Sequence, residues 1–321
     1  MIECRPFRND DPPAIAEIWG AQPPSRGLMQ PMTAAAFEHI VLAKPHFDRH
    51  GLLIAIDQGR PVGLAHAGFG PTADGSALDR SRGIVCLLMS APLANQDEIA
   101  GELLRCAEEY LRSKGAVESF AGCCEGVNPF YLGIYGGCGS PGILATDATA
   151  LRAFAAAGYR PAQRRCVFQR DLVAFRVPVD RQLIDLKRKL QLDFQTDDAP
   201  VNWWDAALFS HVERIHSSLA PRGGTPVWAT ASFWDIEPLA STWGVHALGL
   251  LAMKVHDAAA GANPSIVATQ ILAESLRMVQ SQGITLAEVQ TLEDDQPMIE
   301  IFKRLGFTEV ASGVSLRKSF V

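Results

Sequence analysis

Apolar residues along this chain recur with two periods, and the switches between them mark its elements. In EIAGELLRCAEEYLRSKG the apolar positions Ile99, Ala100, Leu103, Leu104, Ala107, Tyr110 and Leu111 have the three-and-four spacing of one helix face. The basic end Arg112–Lys114 followed by Gly115 is a helix stop. A β-like run from Gly83 to Met89 precedes this helix and a short strand, AVESFAG, follows it. The same grammar returns later. The strand-like ALGLLAMKV leads to SIVATQILAESLRMVQSQG, whose apolar face is Val267, Ala268, Ile271, Leu272, Leu276 and Val279. Gly283 ends that helix, and the strand ITLAEVQ follows.

The recurrence is an internal repeat. Gly115 and Gly283 correspond, 168 positions apart. Each copy continues into a second short helix and a related phrase, GYRPAQRRCVFQRDL in one and GFTEVASGVSLRKSF in the other. There Gly158 and Gly306 correspond, 148 positions apart. The first copy therefore carries about 20 extra residues, seen as the Gly-rich and aromatic stretch NPFYLGIYGGCGSPGILATD. Upstream, LLIAIDQGRPVGLAHAGFG reads as a hairpin turning at Gln58-Gly59, after a helix-prone N-terminal stretch. The segment 172–192 carries the linker, and the basic run from Arg160 to Lys189 reads as a solvated face.

Composition adds limits rather than chemistry. The chain has 321 residues and a formal net charge of −6, against the Lys/Arg surplus that a general nucleic-acid binder needs. It has no apolar run of about 20 residues, so no membrane span is expected. The N-terminal segment lacks a long apolar core, so no secretory signal is expected and a cytoplasmic setting is. All seven cysteines precede residue 167, without a Cys-x-x-Cys, which fits reduced thiols. All four tyrosines precede residue 160, while every tryptophan but Trp19 follows residue 200. The two copies have diverged in equipment.

Strand, loop, amphipathic helix, strand, helix, "GY" or "GF", strand resembles the second half of the GNAT N-acetyltransferase fold. The phrases LLRCAEEYLRSKGA, NPFYLGIYGG and GYRP resemble the first domain of a tandem GNAT protein, and ITLAEVQTLEDDQPMIEIFKRLGF its second. The resemblance covers most of the chain and is weakest around 193–242. It implies an α/β fold of two tandem GNAT-like domains, 1–175 and 190–321, each a mixed, mostly antiparallel sheet flanked by helices. It further implies direct transfer of an acetyl group from acetyl-CoA to a small-molecule or peptide amine, by a monomer or homodimer. In that fold the pantetheine arm pairs with a splayed strand edge, here Leu88, Met89 and Ser90. The pyrophosphate meets backbone N–H groups at the following helix start, here Gln96, Asp97, Glu98, Ile99, Ala100 and Gly101.

The copies depart from the pattern. Where the family's phosphate loop has Arg/Gln-x-x-Gly-x-Gly/Ala, this chain reads Asn95 to Ala100, with Glu98 in place of the first glycine. In the second copy, Asp257 to Ala268 has neither the arginine nor the glycine pair, and Pro264 removes an N–H. The tyrosine that protonates the departing thiolate in the family is Phe154 in one copy and Phe302 in the other, and neither ring carries a proton to give. Tyr131 and Tyr135 on the insertion are the candidate acids, with core or pocket-lining packing as their alternative role. Asn128 matches the family's Asn before the second helix, and Asp295 takes that place in the second copy. Glu118, Glu125, Glu288, Glu293 and His246 are loose candidates for the base. Gly136, Gly137, Gly139 and Gly142 lack a following Gly-Lys-Ser/Thr, so a structural turn or pocket wall is favoured over a nucleotide loop. Adjacent Cys123 and Cys124 lack metal-ligand spacing. Trp228 and Trp234 with Arg222 read as core aromatics beside a surface arginine, or as a reader of an acidic or planar substrate. The cofactor-site expectation falls on the first copy. The rival reading is a non-catalytic GNAT-fold binding or regulatory protein, favoured by motif loss in both copies.

Overall fold

The computed structural model describes residues 2–122, 127–196, 199–259 and 261–320. Among these, the first half runs β1 (Glu3–Pro6), α1 (Pro12–Gly20), α2 (Ala34–Phe37), β2 (Leu52–Asp57), β3 (Arg60–Pro71), β4 (Leu78–Ser90), α3 (Gln96–Ser113), β5 (Glu118–Ala121), β6 (Ile143–Leu144), α4 (Ala148–Ala156) and β7 (Arg160–Asp171). The second runs α5 (Arg181–Lys189), β8 (Leu190–Thr196), α6 (Trp203–Phe209), β9 (Arg214–Pro221), β10 (Ala229–Asp235), α7 (Glu237–Trp243), β11 (Ala247–Val255), α8 (Pro264–Ser281), β12 (Leu286–Leu292), α9 (Gln296–Arg304) and β13 (Thr308–Ser319).

The periodic segments form the elements their spacing predicts. The apolar face of α3 is buried against the sheet, with Ile99, Leu103 and Leu111 sealed from solvent, each contributing about 1.5–3 kcal/mol by burial. Asp97 and Glu98 occupy its first turn and Arg112 its last, which suits the helix dipole. Pro264 opens α8, capped by Asn263. The hairpin β2–β3 turns through Gln58 and Gly59, both at positive φ as a tight turn requires. The expected linker contains a helix: Asp180 caps α5 through the amides of Gln182 and Leu183. Lys187 on α5 pairs with Glu274 on α8, so α8 lies between the sheet and α5 and buries Gln270 and Glu274 as well as its apolar face.

The expectation of a separate sheet in each half needs correction. The strands form one 13-stranded sheet in the order β1-β2-β3-β4-β5-β13-β7-β12-β11-β10-β9-β8, with β6 on β13. The two closing strands are exchanged. Chain-terminal β13 pairs with β5, from Leu316↔Ala121 to Ser319↔Glu118. First-half β7 pairs with β12, from Leu286↔Asp171 to Leu292↔Arg165, and β7 and β13 pair with each other. The cores follow the exchange. Cys166, Phe168 and Leu172 pack in the second-half core with Ile271 and Phe302. Val314 and Leu316 pack in the first-half core with Leu103 and Phe154. Periodicity identifies a strand but not its partner, and two similar strands can each satisfy the same sheet edge.

Two strand pairs within this sheet are parallel and diverge. The β4–β5 ladder runs from Arg82↔Glu118 to Val85↔Ala121, and β4 then continues to Ser90 along β3. The β11–β12 ladder runs from Ala247↔Leu286 to Gly249↔Glu288. The insertion of the first half packs against the second of these junctions. Leu132 and Cys138 share an apolar cluster with Trp234, Ile236, Leu239 and Ala247, and Trp234 Nε1 donates to Cys138 O at 2.8 Å. Gly133, at φ +74°, leaves no room for a Cβ: the atom would lie 2.1 Å from the Trp234 ring.

Candidate functional site

A cleft of about 540 Å³ opens in the first half where β4 leaves β5. One wall is the end of β4, Leu88 to Ser90. Ala91 N donates to Val62 O on β3, so strand alternation turns the backbone N–H and C=O of Ser90 and Leu88 away from β3. Gln22 Nε2 already donates to Ser90 O at 3.0 Å. The second wall is the start of α3, Gln96 and Ala100. The third is the start of α4, Thr146 to Ala150, and the segment 22–28 closes over them.

Polar contacts tie these walls together. Gln96 Nε2 donates to Thr149 Oγ1 at 2.5 Å, linking the two helix starts. Asp147 caps α4 by accepting from Ala150 N at 3.0 Å. Its other oxygen accepts from Tyr135 Oη at 3.0 Å. Tyr135 thus faces the cleft beside a carboxylate, held edge-on against Trp19 at 6.2 Å.

Of the residues singled out from sequence, the structure brings Leu88, Met89, Ser90, Gln96, Ala100 and Tyr135 to this cleft. It does not bring the others. Asp97 is exposed and pairs with Arg152 at 2.8 Å, and Glu98 is exposed too. Ile99 points into the core. Gly101 sits on the outer surface of α3, where a Cβ would meet nothing within 4 Å. Asn128 bonds Ser140 on the insertion. Tyr131 is buried at φ +68°, with its hydroxyl 2.7 Å from His66 Nδ1 and its ring stacked on Trp19. Burial pushes His66 down to about 3, which favours its neutral imidazole.

Among the base candidates, Glu293 and His246 are exposed and Glu118 pairs with Arg317 and Arg82. Glu125, Cys123 and Cys124 lie outside the described residues. Glu288 is fully buried at the second parallel junction, where it accepts from Arg26, Cys138 N and Gln169. Trp234 is core, Trp228 packs against the second-half core, and Arg222 donates to Arg188 O at the surface.

Two cleft residues escaped the sequence reading. Asp147 was legible: the 148-residue offset carries Asp295, the cap of α9, onto Asp147, the cap of α4. Arg26 was not, because the segment Pro23-Pro24-Ser25-Arg26 has no period and no counterpart in the other copy.

No family model matches the chain, and no curated protein matches it in sequence. Solved structures do match over its whole length. A tandem GNAT protein from the clavulanic acid biosynthesis pathway is similar over 99% of this chain and 98% of its own, with TM-score 0.66 and 16% identity. A GCN5-related N-acetyltransferase from Sphaerobacter thermophilus is similar over 99% and 95%, with TM-score 0.65 and 14% identity. A GCN5-related glucosamine N-acetyltransferase region of a fungal multi-domain GH3 beta-N-acetylglucosaminidase reaches TM-score 0.72 at 16% identity, over 99% of this chain and 38% of that one. The chain therefore has the fold of the GNAT acetyltransferases, in an arrangement similar to a tandem member. Among the described residues no helix is long and apolar enough to cross a membrane.

Proposed function

We propose that the chain is an acetyl-CoA-dependent N-acetyltransferase whose working site is the first-half cleft. The observation that carries this reading is the divergence of β4 from β5 after Val85↔Ala121, with a cleft of about 540 Å³ set against the starts of α3 and α4. The residues fit the group. The backbone of Leu88 and the N–H of Ser90 offer strand-type hydrogen bonds to a pantetheine arm, and the first-turn amides of α3 near Gln96 to Ala100 offer donors to a pyrophosphate. Acetyl-CoA would supply an acyl thioester ready for attack by an amine.

The chain's own groups handle the protons. Asp147 takes the proton that the attacking amine loses. Tyr135, hydrogen-bonded to Asp147, gives its phenolic proton to the departing sulfur and is reprotonated from Asp147. The amine proton thus reaches the thiolate through two adjacent side chains. The acceptor is a small-molecule or peptide amine, and the 1–175 and 190–321 portions act as one catalytic copy and one supporting copy.

One feature favours the non-catalytic alternative. The α3 start carries Asp97 and Glu98 where the family has a phosphate-loop arginine and glycine, and Arg152, the nearby cation, is held by Asp97. Calorimetry and thermal denaturation with acetyl-CoA separate the readings. A ligand at 100 times its Kd stabilises the fold by about 2.7 kcal/mol. No shift at millimolar acetyl-CoA sinks the enzyme reading. A shift without release of free CoA across an amine panel leaves the binding protein.

A further inference from the structure

We infer that the cleft takes an acceptor carrying a carboxylate beside its amine, with an apolar side chain, and that Arg26 is the residue that reads the carboxylate. This deepens the acetyltransferase reading and rests on it for the identity of the amine as acceptor. Arg26 is the one lysine or arginine lining the cleft among the described residues. Its position is fixed from several sides. Nη1 donates to Glu288 Oε2 at 2.5 Å, and the guanidinium lies 5.3 Å over the Trp243 ring. Trp243 Nε1 donates to Arg26 O at 2.6 Å, which fixes the backbone as well.

That arrangement commits only one edge of the guanidinium. Among the described residues Nε and Nη2 have no hydrogen-bond partner, although both are buried. These are the two donors on the side-on edge of the fork, which matches the two oxygens of a carboxylate. Glu288 does not turn to satisfy them, because its oxygens are already occupied by Cys138 N at 2.7 Å and Gln169 Nε2 at 2.9 Å. Two adjacent donors on one edge without an acceptor are the pattern that a two-oxygen partner satisfies.

Charge selects a carboxylate over a phosphate. Glu288 already balances Arg26, so a single added negative charge is better tolerated than two. Asp147 lines the same cleft and supplies the complementary charge for an ammonium. One cation and one anion facing one cleft suit a zwitterion. Leu28 and Leu144 are among the apolar residues of the lining and suit an apolar side chain.

The test uses L-leucine and isoamylamine, which share a carbon skeleton and differ in the carboxylate. Binding of each to the full chain is followed by thermal shift and calorimetry without acetyl-CoA, then repeated on Arg26→Lys. Lysine keeps a charge for Glu288 but lacks the Nε/Nη2 edge. L-leucine is expected to bind at least tenfold more tightly than isoamylamine. Arg26→Lys is expected to erase that difference while changing the Kd for acetyl-CoA less than twofold. Equal binding of the two probes, binding of neither, or an Arg26→Lys protein that still prefers L-leucine overturns the inference. So does an Arg26→Lys protein whose loss falls on acetyl-CoA, since the edge then reads a phosphate. If Arg26→Lys does not fold, the wild-type contrast alone decides. Failure of acetyl-CoA to bind overturns the acetyltransferase reading, and the leucine contrast is read independently of it.

Discussion

Arg26 Nη1 and Glu288 Oε2 meet at 2.5 Å with 262 positions of chain between them, joining the lid of the first-half cleft to the parallel junction of the second half. Glu288 has no solvent exposure, and Arg26 is the cation it meets. Arg26→Met therefore leaves a buried carboxylate facing only neutral donors and is expected to cost about 3–5 kcal/mol. Arg26→Met/Glu288→Met removes both charges and is expected to cost much less than the sum of the single changes. Urea denaturation of the three variants measures the coupling, and additive losses would show that the pair is not an energetic unit.

Tyr135 and Tyr131 separate in kinetics and stability. Tyr135→Phe removes the hydroxyl that faces the cleft and is expected to lower acetyl transfer by about 10²–10⁴-fold with acetyl-CoA binding retained. Tyr131→Phe removes the bond to His66 and is expected to cost about 1 kcal/mol of stability with little effect on rate. The opposite pattern would move the acid to Tyr131.

The cofactor assignment to the first copy is checked by charge. Gln96→Glu changes one cleft residue isosterically and places a negative charge where the phosphates are expected. It should weaken acetyl-CoA by about 1 kcal/mol, about fivefold in Kd. Ser265→Glu, in the exposed first turn of α8, should leave the Kd unchanged. Calorimetry on both variants reports which helix start holds the ligand.

Lys44 gives a stability signature with pH. Its ammonium is buried, donating to Ala207 O and Leu208 O at the end of α6, and burial pushes it down to about 8. Between pH 8 and the ordinary lysine value of 10.5 the unfolded chain holds a proton that the folded chain has released. This contribution is therefore fully present above 10.5, absent below 8, and makes stability rise with pH across that window. The stability difference between wild type and Lys44→Met should shift in favour of wild type by on the order of 1–3 kcal/mol from pH 8 to 10.5. A difference that is flat with pH would show that Lys44 titrates normally.

Much of the fold was legible because it is written in local spacing. The faces of α3 and α8 and the Gln58-Gly59 turn depend on residues within a few positions of one another. The exchange of β7 and β13 was not, since Cys166–Phe168 and Val314–Leu316 are similar strands whose partners are set by tertiary packing. The stretch 193–242 was also opaque, because β9 (Ile215 to Ala220) places three polar residues in a row before Leu219 and Ala220 and so lacks a period-2 pattern. At the cleft, Leu88 to Ser90, Gln96 and Ala100 lie on elements that local spacing marks, whereas Arg26 depends on loop packing against Trp243 and Glu288.

The strand exchange has a consequence for how the protein is made. Arg317 on β13 meets Glu118 on β5 across 199 positions of sequence. During synthesis the first copy must wait for that distance of chain with one sheet edge uncovered, a surface open to pairing with other chains. β7 likewise has no strand partner until β12 and β13 are made, so the centre of the sheet closes last. A fragment ending near residue 175 would carry β7 without either of its strand partners.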